Sequence, residues 1–104
     1  MTNGESYVYP EQVCFEIADQ HPEQYRAAAD FINQGAYDVL SVQHEYGIFG
    51  GEAGEHLLHL VRQAKMPIVT TLHTVLRSPS QAQKRVLDEL LQLSERVIVM
   101  SNRA

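Results

Sequence analysis

Two periods of apolar residues alternate along this chain. Short runs of strand length lie at 13–17, 38–43, 68–72 and 96–100. Helical spacing fills the stretches between them. In the first, Tyr25, Ala28, Ala29 and Ile32 share one face, Pro22 suits the opening turn, and Gly35 stands where a helix would stop. The second predicted helix covers about 52–65, with Leu57, Leu58, Leu60, Val61 and Ala64 inward and Glu55, Arg62 and Gln63 outward. Pro67 breaks it. The third opens at Ser78-Pro79, a cap followed by proline, and turns Val86, Leu87, Leu90 and Leu91 inward and Gln83, Lys84 and Glu89 outward. Ser101 has the character of a further helix cap.

The resulting order, β-α-β-α-β-α-β, predicts an α/β fold: a Rossmann-like parallel sheet of about four strands with flanking helices and right-handed crossovers. The run at 38–43 reads as the nearly continuous apolar strand of a sheet covered on both faces. Residues 1–11, with Asn3, Gly4, Glu5, Ser6 and Pro10, read as a loop or disordered N-terminus, and 12–104 as one partial domain. Four strands are few for a doubly covered sheet, and the expectation is an incomplete domain with an unpaired strand edge that invites self-association.

Composition narrows the class. The 104 residues are 44% hydrophobic, which excludes a disordered tail. The net charge of −5 comes without any basic block, so no nucleic-acid partner is expected. No apolar run nears the roughly 20 residues of a membrane span, so no transmembrane segment is expected. The first residues lack a basic region followed by an apolar stretch, and no signal peptide is read there. The lone Cys14, inside an apolar run, reads as a small buried residue and suits a reducing, cytoplasmic location.

Candidate chemistry concentrates where strands end. In open parallel sheets, ligands bind in loops leaving the carboxyl ends of strands. His44 and Glu45 follow one strand directly, and His73 and Thr74 follow the next. Two readings of His44 and Glu45 are open: hydrogen bonding to a hydroxylated or phosphorylated ligand, or a local cap for the following helix. His73, between Leu72 and Thr74, can donate to substrate oxygens, or it can be satisfied by a nearby carbonyl. The repeated position predicts that imidazoles 44 and 73 line one groove. Tyr46, Ile48 and Phe49 are either a ligand wall or folded onto the core. Gly50 and Gly51, at a helix start, either bare amides toward an anion or sugar hydroxyl or make a tight turn. They match neither the dinucleotide nor the phosphate-loop fingerprint. His56 and His59 read as solvated helix residues, not metal ligands. The chain carries no nucleophile elbow.

Three segments, Gln43-His-Glu-Tyr-Gly-Ile-Phe-Gly-Gly51, Val69-Thr-Thr-Leu-His-Thr-Val-Leu76 and Val97-Ile-Val-Met-Ser101, together resemble the N-terminal domain of family 4 glycosyltransferases over roughly residues 7–104. Those enzymes have the GT-B architecture, two Rossmann-like domains facing across a cleft. The resemblance implies retaining transfer of a sugar from a nucleotide-sugar donor to an acceptor, without a cofactor or catalytic metal. It implies that His73 reaches the cleft and contacts the donor sugar. The loop from His44 to Gly51, with Glu45, Tyr46 and Gly50, would border the acceptor side, and Thr74, flanking His73, is expected to bind substrate. The family's opening strand with its glycine-rich loop is not found in residues 1–12, and its nucleotide-binding second domain is absent. The implied state is a fragment, inactive alone, needing a C-terminal domain. The alternative is a small flavodoxin-like module that binds a ligand or partner without catalysis.

Overall fold

The computed structural model describes residues 13 and 15–100. Cys14, Ser101 and the expected loop at 1–11 lie outside the described residues. The elements run α1 (Pro22–Gln34), β1 (Leu40–His44), a single 3-10 turn (Glu52–Gly54), α2 (Leu57–Gln63), β2 (Ile68–Leu72), α3 (Gln81–Leu93) and β3 (Arg96–Val99). The chain is therefore α/β, with a three-stranded parallel sheet in the order β1-β2-β3.

The expected fourth strand at 13–17 is not found among the described residues. Among the described residues, Val13 and 15–17 carry no strand, Ala18 makes a single bridge, and Phe15 sets its ring 5.3 Å from that of Phe31 on α1. The expected double cover is also absent among the described residues. Sequential parallel strands joined by crossovers of one hand place every crossover helix on the same face. Accordingly α2 packs on α3, and α1 packs on α2. Leu40, Val42, Ile68 and Thr70 turn toward these helices, where Val42 and Ile68 join Leu57, Leu58, Val61, Val86 and Leu90 in the core. The opposite face carries Ser41, Gln43, Val69, Thr71, Arg96 and Ile98, by strand alternation. Ser41, Gln43 and Ile98 on it are exposed. β1 thus alternates polar and apolar positions, as strands with one covered face do.

Local chemistry explains most element ends. Pro22 occupies the first turn of α1, where its missing N–H costs nothing. The helix ends at Gly35 as expected, but the left-handed residue is Ala36, at φ 55°. A Cβ on Gly35 would lie 2.3 Å from the exposed ring of Tyr37, which would have to turn aside. α2 begins five residues later than expected. Gly51, Ala53 and Gly54 all have positive φ, which an α-helix cannot accommodate. Its far end is held by Asn33 of α1, which donates to Gln63 O (2.7 Å) and accepts from Lys65 N–H (2.8 Å). These satisfy groups that a helix end leaves unpaired.

α3 starts at Gln81, not at Pro79. Ser80 accepts from Gln83 N–H at 3.1 Å, and the Gln83 side chain accepts from Ser80 N–H at 2.8 Å. This reciprocal capping box outcompetes the Ser78-Pro79 start and turns Gln83 back onto the chain. At the other end Ser94 donates to Leu90 O at 2.7 Å. Its one proton is used there, so Thr70, fully buried in β2, donates to Ser94 Oγ at 2.7 Å. Arg62 of α2 and Glu89 of α3 form a paired fork across the helix surface. β3 closes the sheet with Val97, Ile98 and Val99 all exposed, Val99 by 56%.

Candidate functional site

The carboxyl ends of β1 and β2 form one rim. His44 pairs with Leu72 in register, and His73 N–H donates to His44 O at 2.9 Å. His73 is thus one residue beyond the partner of His44. Because successive side chains point to opposite faces, the two rings diverge. His44 turns under the helices and is 2% exposed; its ring lies 4.9 Å from that of Tyr46, edge-on, and 6.1 Å from that of Phe49, stacked. His73 turns to the uncovered face and is exposed. The expected shared groove is not formed, since equivalence in sequence did not survive the one-residue offset in register.

The uncovered face carries a polar row that ends at His73. His73 Nε2 lies 2.8 Å from Gln43 Oε1. The Gln43 amide donates to Ser41 Oγ at 3.0 Å and reaches Thr71 Oγ1 at 3.5 Å. Beside the row, the two rim loops are tied together. Thr74 Oγ1 donates to Glu45 Oε1 at 2.6 Å, and the same oxygen accepts from Tyr46 N–H at 3.2 Å. Of the residues singled out from the sequence, Glu45, Tyr46, His73 and Thr74 therefore meet at this rim. Burial raises the phenol pKa of half-buried Tyr46, and the Glu45 charge adds to this.

Gly50 and Gly51 are engaged elsewhere. Gly50 N–H donates to Tyr25 Oη at 3.0 Å, and Tyr25 Oη donates to Asp19 O at 2.9 Å. Gly51 N–H donates to Gln20 Oε1 at 3.2 Å. The amides expected to face a ligand hold the segment before α1. A Cβ on Gly50 would lie 1.6 Å from Asp19 O, and one on Gly51 2.6 Å from the His56 ring. Gly50 is a close-approach site between two backbone segments, and Gly51 adopts a φ of 81° that favours glycine.

Sequence reasoning passed over Gln43, Tyr25 and Gln20. The signal for Gln43 was strand parity: it shares a face with His73 once the register is known. The signal for Tyr25 was a buried phenol, which needs a hydroxyl partner. Among the described residues no cluster of His, Cys, Asp or Glu has the arrangement of a metal site. No described helix is long and apolar enough to cross a membrane. Compared with known proteins, the chain matches no family model, no curated protein and no solved structure.

Two outcomes follow from this geometry. Gly50→Ala forces the Asp19 carbonyl away, and destabilisation of about 3 kcal/mol or more is expected in urea unfolding; a loss below about 1 kcal/mol contradicts the close approach. The second outcome concerns His44, whose Nδ1 is buried without a hydrogen-bond partner. Burial holds its imidazole below the ordinary histidine range; Glu45 opposes this and His73 adds to it. A folded-state pKa below the unfolded one means the unfolded chain protonates first as pH falls through about 6.5. Stability conferred by neutral His44 is therefore full above that pH and declines below it, until the folded ring protonates too. Urea midpoints measured from about pH 8 to pH 5 should fall less steeply in His44→Leu than in the unsubstituted chain. Parallel profiles would show that His44 is not the buried neutral group described.

Proposed function

We propose that this chain is the N-terminal, acceptor-side part of a retaining, nucleotide-sugar-dependent glycosyltransferase of the GT-B kind, inactive by itself. The observation that supports this reading is the rim at the ends of two adjacent parallel strands, where His73, Thr74 and Glu45 come together. Such a rim is where open parallel sheets take their ligands. The three residues also fall within the segments that carry the family resemblance.

In this reading the donor's anomeric C–O bond to the diphosphate breaks and a C–O bond to the acceptor hydroxyl forms on the same face. The acceptor's proton passes to the departing phosphate oxygen. His73 contacts the donor sugar, and the Glu45–Thr74 pair with Tyr46 borders the acceptor. Groups that hold the nucleotide belong to a C-terminal domain. Gly50 and Gly51 take no part in binding, because their amides are already engaged. The exposed row from Val97 to Met100 is the sheet edge on which further chain, or a second copy, packs.

The test has two arms. The purified chain should show no sugar transfer and should elute later on size exclusion as it is diluted, as a self-associating species does. Joined to a C-terminal donor-binding domain of the family, with the missing first strand supplied, it should transfer sugar, and His73→Ala should lower kcat by about 10²-fold. Turnover by the chain alone, or a well-folded reconstituted protein that hydrolyses and transfers nothing, overturns the assignment. A sharp monomer at all concentrations overturns the self-association.

A further inference from the structure

We infer that Gln43 is a positioning residue for His73, committing the Nε2–H of the neutral ring so that the imidazole offers only its Nδ1 lone pair at the rim. This deepens the function proposed above and, for its consequence for substrate, rests on it. Of the two sequence readings of His73, donation to substrate oxygens and satisfaction by a nearby carbonyl, it favours the second, with the Gln43 side-chain carbonyl as the partner.

The inference comes from the polarity of the row on the uncovered face. Gln43 holds its amide oxygen 2.8 Å from His73 Nε2 and its amide nitrogen 3.0 Å from Ser41 Oγ, with Thr71 Oγ1 at 3.5 Å. An amide oxygen can only accept, so Nε2 must carry the proton. A neutral imidazole has one N–H, so Nδ1 is then an acceptor. Among the described residues Nδ1 has no hydrogen-bond partner, and the residue is exposed. Gln43 lies on β1 and His73 just past β2, and the parallel register sets the reach between them. Ser41 and Thr71, on the same face, give the amide nitrogen its acceptors.

Two of the neighbouring rim groups, Thr74 and Glu45, have the same polarity. Thr74 gives its hydroxyl proton to Glu45, so Thr74 Oγ1 retains only lone pairs. The Glu45 carboxylate accepts from Thr74 and from Tyr46 N–H and itself donates nothing. An acceptor-rich rim suits a ligand that brings hydroxyl protons. It disfavours a phosphate, which brings acceptors and negative charge. The part of substrate recognised here is thus a hydroxylated sugar face, with the phosphates held by other residues.

The test reads the ring directly. The full chain, labelled with ¹⁵N-histidine, is examined by long-range ¹H–¹⁵N correlation at about pH 8.5, where an ordinary imidazole is neutral. His73→Gln assigns the signals. The expected result is a protonated Nε2 and a bare Nδ1 in the unsubstituted chain, read from the two ring ¹⁵N shifts through the carbon-bound ring protons. Gln43→Leu should average those shifts toward a mixture of tautomers. Gln43→Glu, which keeps an accepting oxygen, should restore the Nε2–H pattern. The signals of His21, His56 and His59 should stay in place in both variants, which shows the fold to be intact. An Nδ1–H tautomer in the unsubstituted chain, or a ring unchanged by Gln43→Leu, overturns the inference and leaves the transferase reading standing. If the tautomer behaves as expected, methyl glycosides should shift His73 and inorganic phosphate should not. The reverse pattern overturns the substrate polarity.

Discussion

Every group at the rim depends on the parallel register of β1 against β2. His44 stands opposite Leu72, and strand alternation does the rest. That single offset sends one imidazole under the helices and the other to the uncovered face. It also brings Gln43 within reach of His73, and Glu45 within reach of Thr74. A slip of one residue would exchange the two faces, placing Ser41 and Gln43 in the core and Val42 in water. The core is what forbids the slip. Val42 and Ile68 pack with Leu57, Leu58, Val61, Val86 and Leu90, and moving them outward would lose roughly 1.5–3 kcal/mol for each large side chain exposed.

Helix placement gives the two faces their different chemistry. With strands in sequential order, both crossovers lie on one side and α1 joins them there. The other side is free to be polar and to carry a hydrogen-bonded row without buried, unsatisfied groups. A βαβαβ unit of this kind is one half of a doubly wound sheet, whose other half puts its helices on the opposite face. The loop after β1 is anchored on the helix side. Tyr25, fully buried in α1, accepts from Gly50 and donates to Asp19, so one phenol joins α1, the segment before it and the glycine loop. Gly50 is needed because backbone passes so close to backbone there, and Gly51 because its φ is positive.

Much of the architecture was legible in the apolar spacing. Ile68–Leu72 and the start of α1 at Pro22 stand where the pattern places them. So do the buried stripes Tyr25-Ala28-Ala29, Leu57-Leu58-Val61 and Val86-Leu90. Other features depended on information that spacing does not hold. Residues 13–17 are apolar enough for a strand, but among the described ones none is in a strand, and Phe15 finds a ring partner on α1. Ser78-Pro79 and Ser80 are both plausible caps, and only the return bond from Gln83 decides between them. The strand at 38–43 looked continuous because its alternation is disguised by Val39, which lies outside β1 and is 50% exposed. At the rim, the identities Glu45, His73 and Thr74 were readable from their position after strands. The inward turn of His44 was not, because it needs the register, and the occupation of the glycine amides was not, because Tyr25 and Gln20 are distant in sequence.

For function, the rim's value lies in combining a fixed scaffold with groups that have unused lone pairs. In the proposed reading, acceptors held on strand ends select hydroxylated ligands without moving. The central claim is that His73 faces out and His44 faces in. Diethyl pyrocarbonate acylates accessible neutral imidazoles, and peptide mapping after brief exposure of the folded chain reports each ring separately. His73 should be modified at a rate close to that of an exposed histidine such as His21, while His44 should react only when the chain is unfolded. Equal modification of His44 and His73 in the folded chain would contradict the register and everything built on it.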